Sequence, residues 1–381
     1  MHKIVILGGG YTGLSAAVNL AGRVKRRDDV RITVVNAAER FTERLRLHQV
    51  ASGQRLADLR IPDLLAGTGV EFVCGWVTGV DVEARTVRID DETVLGYDTL
   101  VYALGGVADT GSVPGADDHA HTLNSAQDAA VLARRLATAR TVAVCGSGLT
   151  GVEAAAEIAE QHPGLDVVLL GRDEPGAAMG PKAKAYLHAT LARLGVQVRG
   201  GVEITKVLPD SVELAGGESV AADVILWTSG VRVSRLAAAL ETDERGRIVT
   251  DAALRSVSHS DVYVVGDAAL VRQGFGVLHG TCQSGMPTGV HAAVSIAREL
   301  NGKQPKAFRF GYYHTPVSLG RHDAVVQFTK PDGSPRRLSL TGRRATWYKE
   351  TVSSAPWPTY GQMLKHPRVT SIWPRGGRHT R

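Results

Sequence analysis

Two short stretches carry the residue types and spacing for binding a diphosphate. Residues 8–17 read GGGYTGLSAA and residues 146–155 read GSGLTGVEAA, identical at six of ten positions. In each, the first glycine (Gly8, Gly146) allows a tight turn. The second (Gly10, Gly148) lets a pyrophosphate approach the backbone, and the third (Gly13, Gly151) lets a helix lie close on a strand. Such a helix directs its free N–H groups and the positive end of its dipole at the phosphates. One such loop is weak evidence, but two in the same context predict two bound dinucleotides.

The surrounding elements must position these loops. Lys3–Leu7 is a short apolar run of the kind found in a buried parallel strand, and Leu14–Leu20 is an alanine-containing stretch with helical propensity. Thr141–Cys145 and Val152–Ile158 repeat that context around the second loop. Strand, glycine turn and helix therefore occur twice. About 20 residues beyond such a loop an acid is expected at the end of the second strand, where it holds ribose hydroxyls. Here Asn36 stands after Ile32–Val35, and Gly171-Arg172 follows Val167–Leu170. Asn36 can still hydrogen-bond a ribose. Loss of the carboxylate at Gly171 removes repulsion of a 2′-phosphate, which Arg172 could pair with, so NADH and NADPH both stay open.

The chain has 381 residues, more than one hydrophobic core usually serves, so several domains are expected. No run reaches the roughly 18 apolar residues of a membrane-spanning helix, and Ile4–Leu7 breaks at Gly8. Three dispersed cysteines (Cys74, Cys145, Cys282) without a CxxC pair exclude a disulfide framework and a zinc site from the reading. The net charge of +6 is concentrated at the end: residues 341–381 carry eight Arg/Lys and one acid, a balance of +7. That excess predicts a solvated or fraying C-terminus, with contact to an anionic membrane surface as the alternative. Nucleic acid is not expected as a partner.

Three further segments resemble motifs of the glutathione-reductase-type flavoproteins. They are YDTLVYALGG (97–106, with Leu104 where threonine is usual), ADVILWTSGVR (222–232) and SDVYVVGDAA (260–269). More narrowly the chain resembles the type II NADH dehydrogenases and apoptosis-inducing-factor-like quinone reductases over residues 3–300. The resemblance implies an α/β fold with two Rossmann-like dinucleotide-binding domains and a small C-terminal α+β domain. The implied division is an FAD domain over 1–110, an NAD(P) domain over 111–235, the FAD domain resumed over 236–302, and a C-terminal domain with a basic tail over 303–381. Pro114-Gly115 and Ser229–Arg232 mark plausible crossings. Val70–Cys74 and Thr86–Ile89 are expected in a small antiparallel layer.

The resemblance also implies FAD contacts at Gly8, Gly10, Tyr11, Thr12, Gly13, Asn36, Val77, Ala103, Gly105, Gly266 and Asp267. For NADH or NADPH it implies Gly146, Gly148, Leu149, Thr150, Gly151, Arg172 and Gly230. The implied reaction is hydride transfer from the nicotinamide to FAD and onward to a quinone-like acceptor, chemistry that belongs to the cofactors and requires no metal. Glu153 matches the family's helix glutamate near the nicotinamide, and also reads as an ordinary acid of a first helical turn. His48-Gln49-Val50-Ala51-Ser52-Gly53 matches a flavin-side run in which His48 replaces an aromatic residue. His48, with an ordinary pKa near neutrality, is placed to help protonate a reduced quinone. Gln283 in Cys282-Gln283-Ser284-Gly285 echoes the family's acceptor-side glutamine. No cysteine pair stands where disulfide reductases need one. Cys74 and Cys145 read as small buried hydrophobes, and Cys282 as packing or a reactive thiol.

Pro356, Pro358, Pro367 and Pro374 are expected to cut any helix of the tail short. The location expected is the cytoplasm, with the basic tail and its tryptophans offering peripheral contact at the inner membrane face; a homodimer is left open. The rival readings are a reductase of a ferredoxin or other small redox protein, and a non-catalytic flavin redox sensor whose tail binds nucleic acid.

Overall fold

The computed structural model describes residues 1–380. His2–Leu7 forms strand β1, Tyr11–Val24 helix α1 and Val30–Asn36 strand β2, and the two strands pair in parallel from His2–Val30 to Leu7–Val35. The short helix α2 spans Leu47–Ala51. Val70–Cys74 (β3) joins β2 and Thr99–Tyr102 (β4) joins β1, both in parallel.

The motif then repeats. Thr141–Cys145 (β5), Leu149–Gln161 (α3), Asp166–Leu170 (β6), Gln197–Arg199 (β7) and Val224–Trp227 (β8) build a parallel sheet in the order β7-β6-β5-β8. The chain afterwards returns to the first sheet, where Val262–Val264 (β9) pairs with β4 to give the order β9-β4-β1-β2-β3. Strands from both sides of the second sheet therefore complete the first. Where the chain leaves and re-enters, Gly106–Val107 pairs antiparallel with Arg232–Val233. Ile4–Leu7, Leu100–Tyr102 and Val224–Trp227 are buried throughout, because helices cover both faces of a parallel sheet and its central strands read as unbroken apolar runs.

Cys282–Glu299 (α4) starts with a capping box between Thr281 and Ser284 and lies along α1. Its Gly289 allows this close approach, since a Cβ there would stand 2.1 Å from the Thr12 carbonyl oxygen. His314–Ser318 (β10), Ala324–Thr329 (β11) and Pro335–Thr341 (β12) form an antiparallel sheet. Gly342–Ser354 (α5) packs on that sheet, and Pro356–Lys365 (α6) packs on α1.

Two expectations need correction. Val70–Cys74 is the parallel edge strand of the main sheet, and Cys74 at its end is exposed rather than buried. Only Thr86–Ile89 enters an antiparallel layer, with Val77–Asp81 and Thr93–Gly96. The C-terminus does not fray: Asn19 Nδ2 and Arg23 Nη2 of α1 donate to the Pro367 carbonyl at 3.1 and 3.0 Å. The prolines cut the tail's helices short as expected: α5 ends at Ser354 and α6 stops at Lys365, before Pro367, while Pro356 itself opens α6, where no intrahelical N–H is required. Among the described residues no helix is long and apolar enough to cross a membrane.

Candidate active site

The two glycine turns have the same construction. Gly8 adopts φ +100° and Gly146 φ +128°, a left-handed backbone that a side chain would strain. A Cβ on Gly13 would lie 1.8 Å from the Gly8 carbonyl oxygen, and one on Gly151 1.8 Å from that of Gly146. By contrast, a Cβ on Gly10 or Gly148 would meet no atom within 4 Å. These two residues are the N-caps of α1 and α3, and neither helix start has a side-chain cap, so the first-turn N–H groups face the same open space. Both turns thus fit a diphosphate.

The first turn is enclosed. Tyr11 stacks edge-on against Phe41, with ring centroids 5.0 Å apart, and Trp357 and Tyr360 of α6 complete the aromatic cluster. The buried Tyr360 hydroxyl donates to the Tyr11 carbonyl oxygen, while the Tyr11 hydroxyl is buried without a partner among the described residues. Gly266 (φ +73°) comes against Thr12, and its N–H donates to Thr288 Oγ1 at 3.0 Å. Asp267 is brought to the same place; burial raises its carboxyl pKa and Arg44 opposes that rise. Ala103 continues from β4, its N–H on the Leu7 carbonyl oxygen, followed by Gly105 (φ +65°). Val77 begins the neighbouring antiparallel layer. Asn36 is committed within the loop: its Oδ1 accepts the Gly9 N–H at 2.8 Å and its Nδ2 donates to the Ala38 carbonyl oxygen at 2.7 Å.

The second turn is open. Leu149 is 40% exposed against 6% for its counterpart Tyr11, and Thr150 is exposed as well. Arg172 stands at the surface with Nη2 3.6 Å from Glu203. Gly230 (φ +70°) packs on Asp109, where a Cβ would come within 2.9 Å of the aspartate Cβ. An enclosed first site and an open second one suit a resident group and an exchangeable one respectively.

A buried charge cluster joins three parts of the chain. Glu153 of α3 accepts the Lys349 ammonium of α5 at 2.7 Å and the Ser318 N–H of β10 at 3.0 Å. Burial opposes ionisation of Glu153, but Lys349, His48 and the hydrogen bonds from Lys349 and Ser318 hold its carboxyl below the ordinary value. Glu153 lies beyond the first turn of α3, so the reading of it as a helix-start acid is set aside. His48 of α2 is buried beside this pair, and its Nε2 has no partner among the described residues. Desolvation pushes its pKa down to about 4, which corrects the expectation of a near-neutral titration: the imidazole is uncharged at neutral pH. Gln283 is not in this cluster. Its Nε2 donates to the His314 carbonyl oxygen at 3.0 Å and ties α4 to β10. Burial also pushes the Cys282 and Cys145 thiols up to about 12, which favours their protonated form.

Sequence reasoning missed Lys349, assigning it to the basic tail. The signal was present: Ala345, Lys349 and Ser353 recur every four residues and form the buried face of α5.

The buried histidines make stability pH-dependent. His48, His291 and His314 are all held at about 4 by desolvation. An unfolded chain takes up these protons near its ordinary pKa of about 6.5, whereas the folded one does so only near 4. Stability is therefore complete above the unfolded value and falls as pH drops through this window, by on the order of 3 kcal/mol per histidine across it. Urea midpoints recorded from neutral pH downward should decline steeply; a flat profile contradicts the assignment.

Comparison with known proteins agrees with this architecture. Residues 2–297 match the family described as pyridine nucleotide-disulphide oxidoreductase. The chain is 29% identical to a NADH dehydrogenase-like protein of Mycobacterium tuberculosis, across 93% of this chain and 94% of that one. It is also 29% identical to a type II NADH:quinone oxidoreductase of Staphylococcus aureus, across 92% and 94%. Among solved structures, the sulfide:quinone oxidoreductase of Aquifex aeolicus superposes with a TM-score of 0.81 at 17% identity, covering 97% of this chain and 94% of that one. The match over most of the length, on a fold with two strand–glycine turn–helix units, makes this chain an oxidoreductase of the pyridine nucleotide-disulphide oxidoreductase family.

Proposed function

We infer that the protein passes electrons from a reduced nicotinamide dinucleotide, through FAD, to a quinone-like acceptor. One observation carries this reading: a single chain holds two glycine cradles, at Gly10 and Gly148, each free of any atom that a side chain would meet. The enclosed first cradle, with Thr12, Gly266 and Asp267 gathered around it, is the place for FAD. The open second cradle is the place for the nicotinamide dinucleotide, which must leave after each turnover. FAD, when bound there, would supply the two-electron chemistry that links donor to acceptor. The family's use of FAD and pyridine nucleotide and the quinone reductase named among the relatives support both assignments.

The chain's own residues handle placement and charge. The N-terminal N–H groups of α1 and α3 bind and orient the diphosphates. The aromatic cluster of Tyr11, Phe41, Trp357 and Tyr360 keeps water from the first site. Lys349, held by Glu153, carries a proton in a buried position for a reduced acceptor to take up. His48, uncharged, offers one ring nitrogen as donor and the other as acceptor rather than serving as the acid. Arg336, Arg337, Arg343 and Arg344 are exposed beside Leu338 and Trp347, a surface suited to the anionic face of a membrane that contains quinone. We place the protein in the cytoplasm, against that face.

Anaerobic mixing tests the reading. The yellow holoprotein should lose its flavin absorbance on addition of a reduced nicotinamide and recover it on addition of a short-chain quinone, faster than with a ferredoxin. Bleaching with recovery only by ferredoxin would overturn the choice of acceptor.

A further inference from the structure

The two dinucleotide loops differ in one reciprocal detail. In the first, the loop residue is Gly9 and the strand end supplies a side chain, Asn36, which accepts the Gly9 N–H. In the second, the loop residue is Ser147 and the strand end supplies none, because it is Gly171. The two are matched: a Cβ on Gly9 would stand 2.9 Å from Asn36 Cγ, and a Cβ on Gly171 would stand 2.1 Å from Ser147 Oγ. The Ser147 hydroxyl is fixed there by donating to the Asp173 carbonyl oxygen at 2.6 Å.

Gly171 is held beside the second loop. The Leu170 carbonyl oxygen accepts the Gly146 N–H at 2.8 Å, and Gly171 donates its own N–H to the Arg199 carbonyl oxygen. It is also the position, about 20 residues past the last loop glycine, from which a carboxylate would hold the 2′- and 3′-hydroxyls of an adenosine ribose. That carboxylate is missing, and Ser147 fills the space its Cβ would need.

The next residue outward is Arg172, 81% exposed. Its ionic partner Glu203, 3.6 Å away, is itself 62% exposed, and exposed pairs of this kind are weak and easily exchanged. The nearby Glu174 carboxylate is turned elsewhere, against Gly200 and 3.9 Å from His188. A planar guanidinium free to exchange partners, next to a strand end that carries no carboxylate at Gly171, matches a phosphate dianion.

We propose that the second site selects the 2′-phosphorylated dinucleotide, NADPH over NADH, and that Arg172 is the residue that reads the phosphate. This rests on the assignment of the second loop to the electron donor. Glu203 competes with the phosphate for the same guanidinium and tempers the preference.

Calorimetric titration of the holoprotein with 2′,5′-ADP and 5′-AMP reads the selection without turnover. The 2′-phosphorylated adenylate should bind at least roughly tenfold more tightly. Arg172→Ala should erase the difference by weakening 2′,5′-ADP alone, Arg172→Lys should keep part of it, and Glu203→Gln should strengthen 2′,5′-ADP a few-fold. Equal affinity in the wild type, or equal weakening of both adenylates by Arg172→Ala, overturns the proposal and leaves the donor assignment standing. Absence of binding by either adenylate, together with no bleaching by either nicotinamide, overturns the donor assignment and the selectivity with it.

Discussion

Gly10→Val yields a folded but colourless protein, whereas Gly148→Val yields a folded yellow one that reduced nicotinamides no longer bleach. Both residues have extended backbone, φ −79° and −67°, which any side chain adopts, and neither would place a Cβ near another atom. The apo fold should therefore be unaffected, and the smaller conformational freedom of valine in the unfolded chain acts in its favour. The valine methyl groups instead occupy the ground that a diphosphate must approach. Overpacking at that scale costs about 1–3 kcal/mol. Losing hydrogen bonds to a charged phosphate costs about 1.5–3 kcal/mol more, so binding weakens roughly a thousandfold. Gly13→Ala and Gly151→Ala are the contrasting pair: their Cβ atoms would fall 1.8 Å from a carbonyl oxygen, so those variants lose stability before they lose a ligand. Flavin content, nicotinamide-dependent bleaching and urea midpoints separate the cases. A yellow Gly10→Val protein, or a Gly148→Val protein bleached at the wild-type rate, contradicts the assignment of the loops.

The second large effect concerns the buried pair. Lys349→Met leaves Glu153 without its counter-ion in an interior position, and breaking a pair in this way costs about 3–5 kcal/mol. Much of that loss is the penalty on the stranded carboxylate. Adding Glu153→Gln should therefore restore most of the stability, because a neutral amide can still accept the Ser318 N–H. Denaturant midpoints of the two single variants and the double variant measure the coupling. The redox effect should follow a different pattern. With Lys349 replaced, reduction of the flavin by nicotinamide should persist while reoxidation by quinone slows, and the double variant should regain stability without regaining reoxidation. If the double variant recovers both, Lys349 has a structural role only.

What the sequence revealed was set by local sterics. The glycine spacings of both loops are dictated by contacts within about six residues, Gly8 with Gly13 and Gly146 with Gly151, so the two strand–turn–helix units were legible. The apolar runs at Ile4–Leu7 and Val142–Cys145 marked the buried strands for the same reason. The C-terminal region was not legible in this way. Pro356 marks the break between α5 and α6, but nothing local shows that α6 lays its apolar face on α1, more than 300 residues earlier in the chain. Lys349 looked like one more charge in a basic tail because its partner Glu153 is brought to it by the fold alone. His48 was found, but its charge state was misjudged: a pKa near neutrality belongs to a solvated imidazole, and burial removes the solvent. Asn36 also braces the loop through Gly9, a contact that only the fold brings about.

The central claim is that one chain holds two dinucleotides at once, a resident flavin in the enclosed loop and an exchangeable nicotinamide in the open one. Equilibrium titration of the purified holoprotein with an oxidised nicotinamide dinucleotide, alongside a count of flavin per chain, tests it most directly. One FAD per chain retained through dialysis, with one nicotinamide bound reversibly and without displacing it, is the predicted result. Release of flavin as the nicotinamide binds, or a chain that retains no flavin, would contradict it.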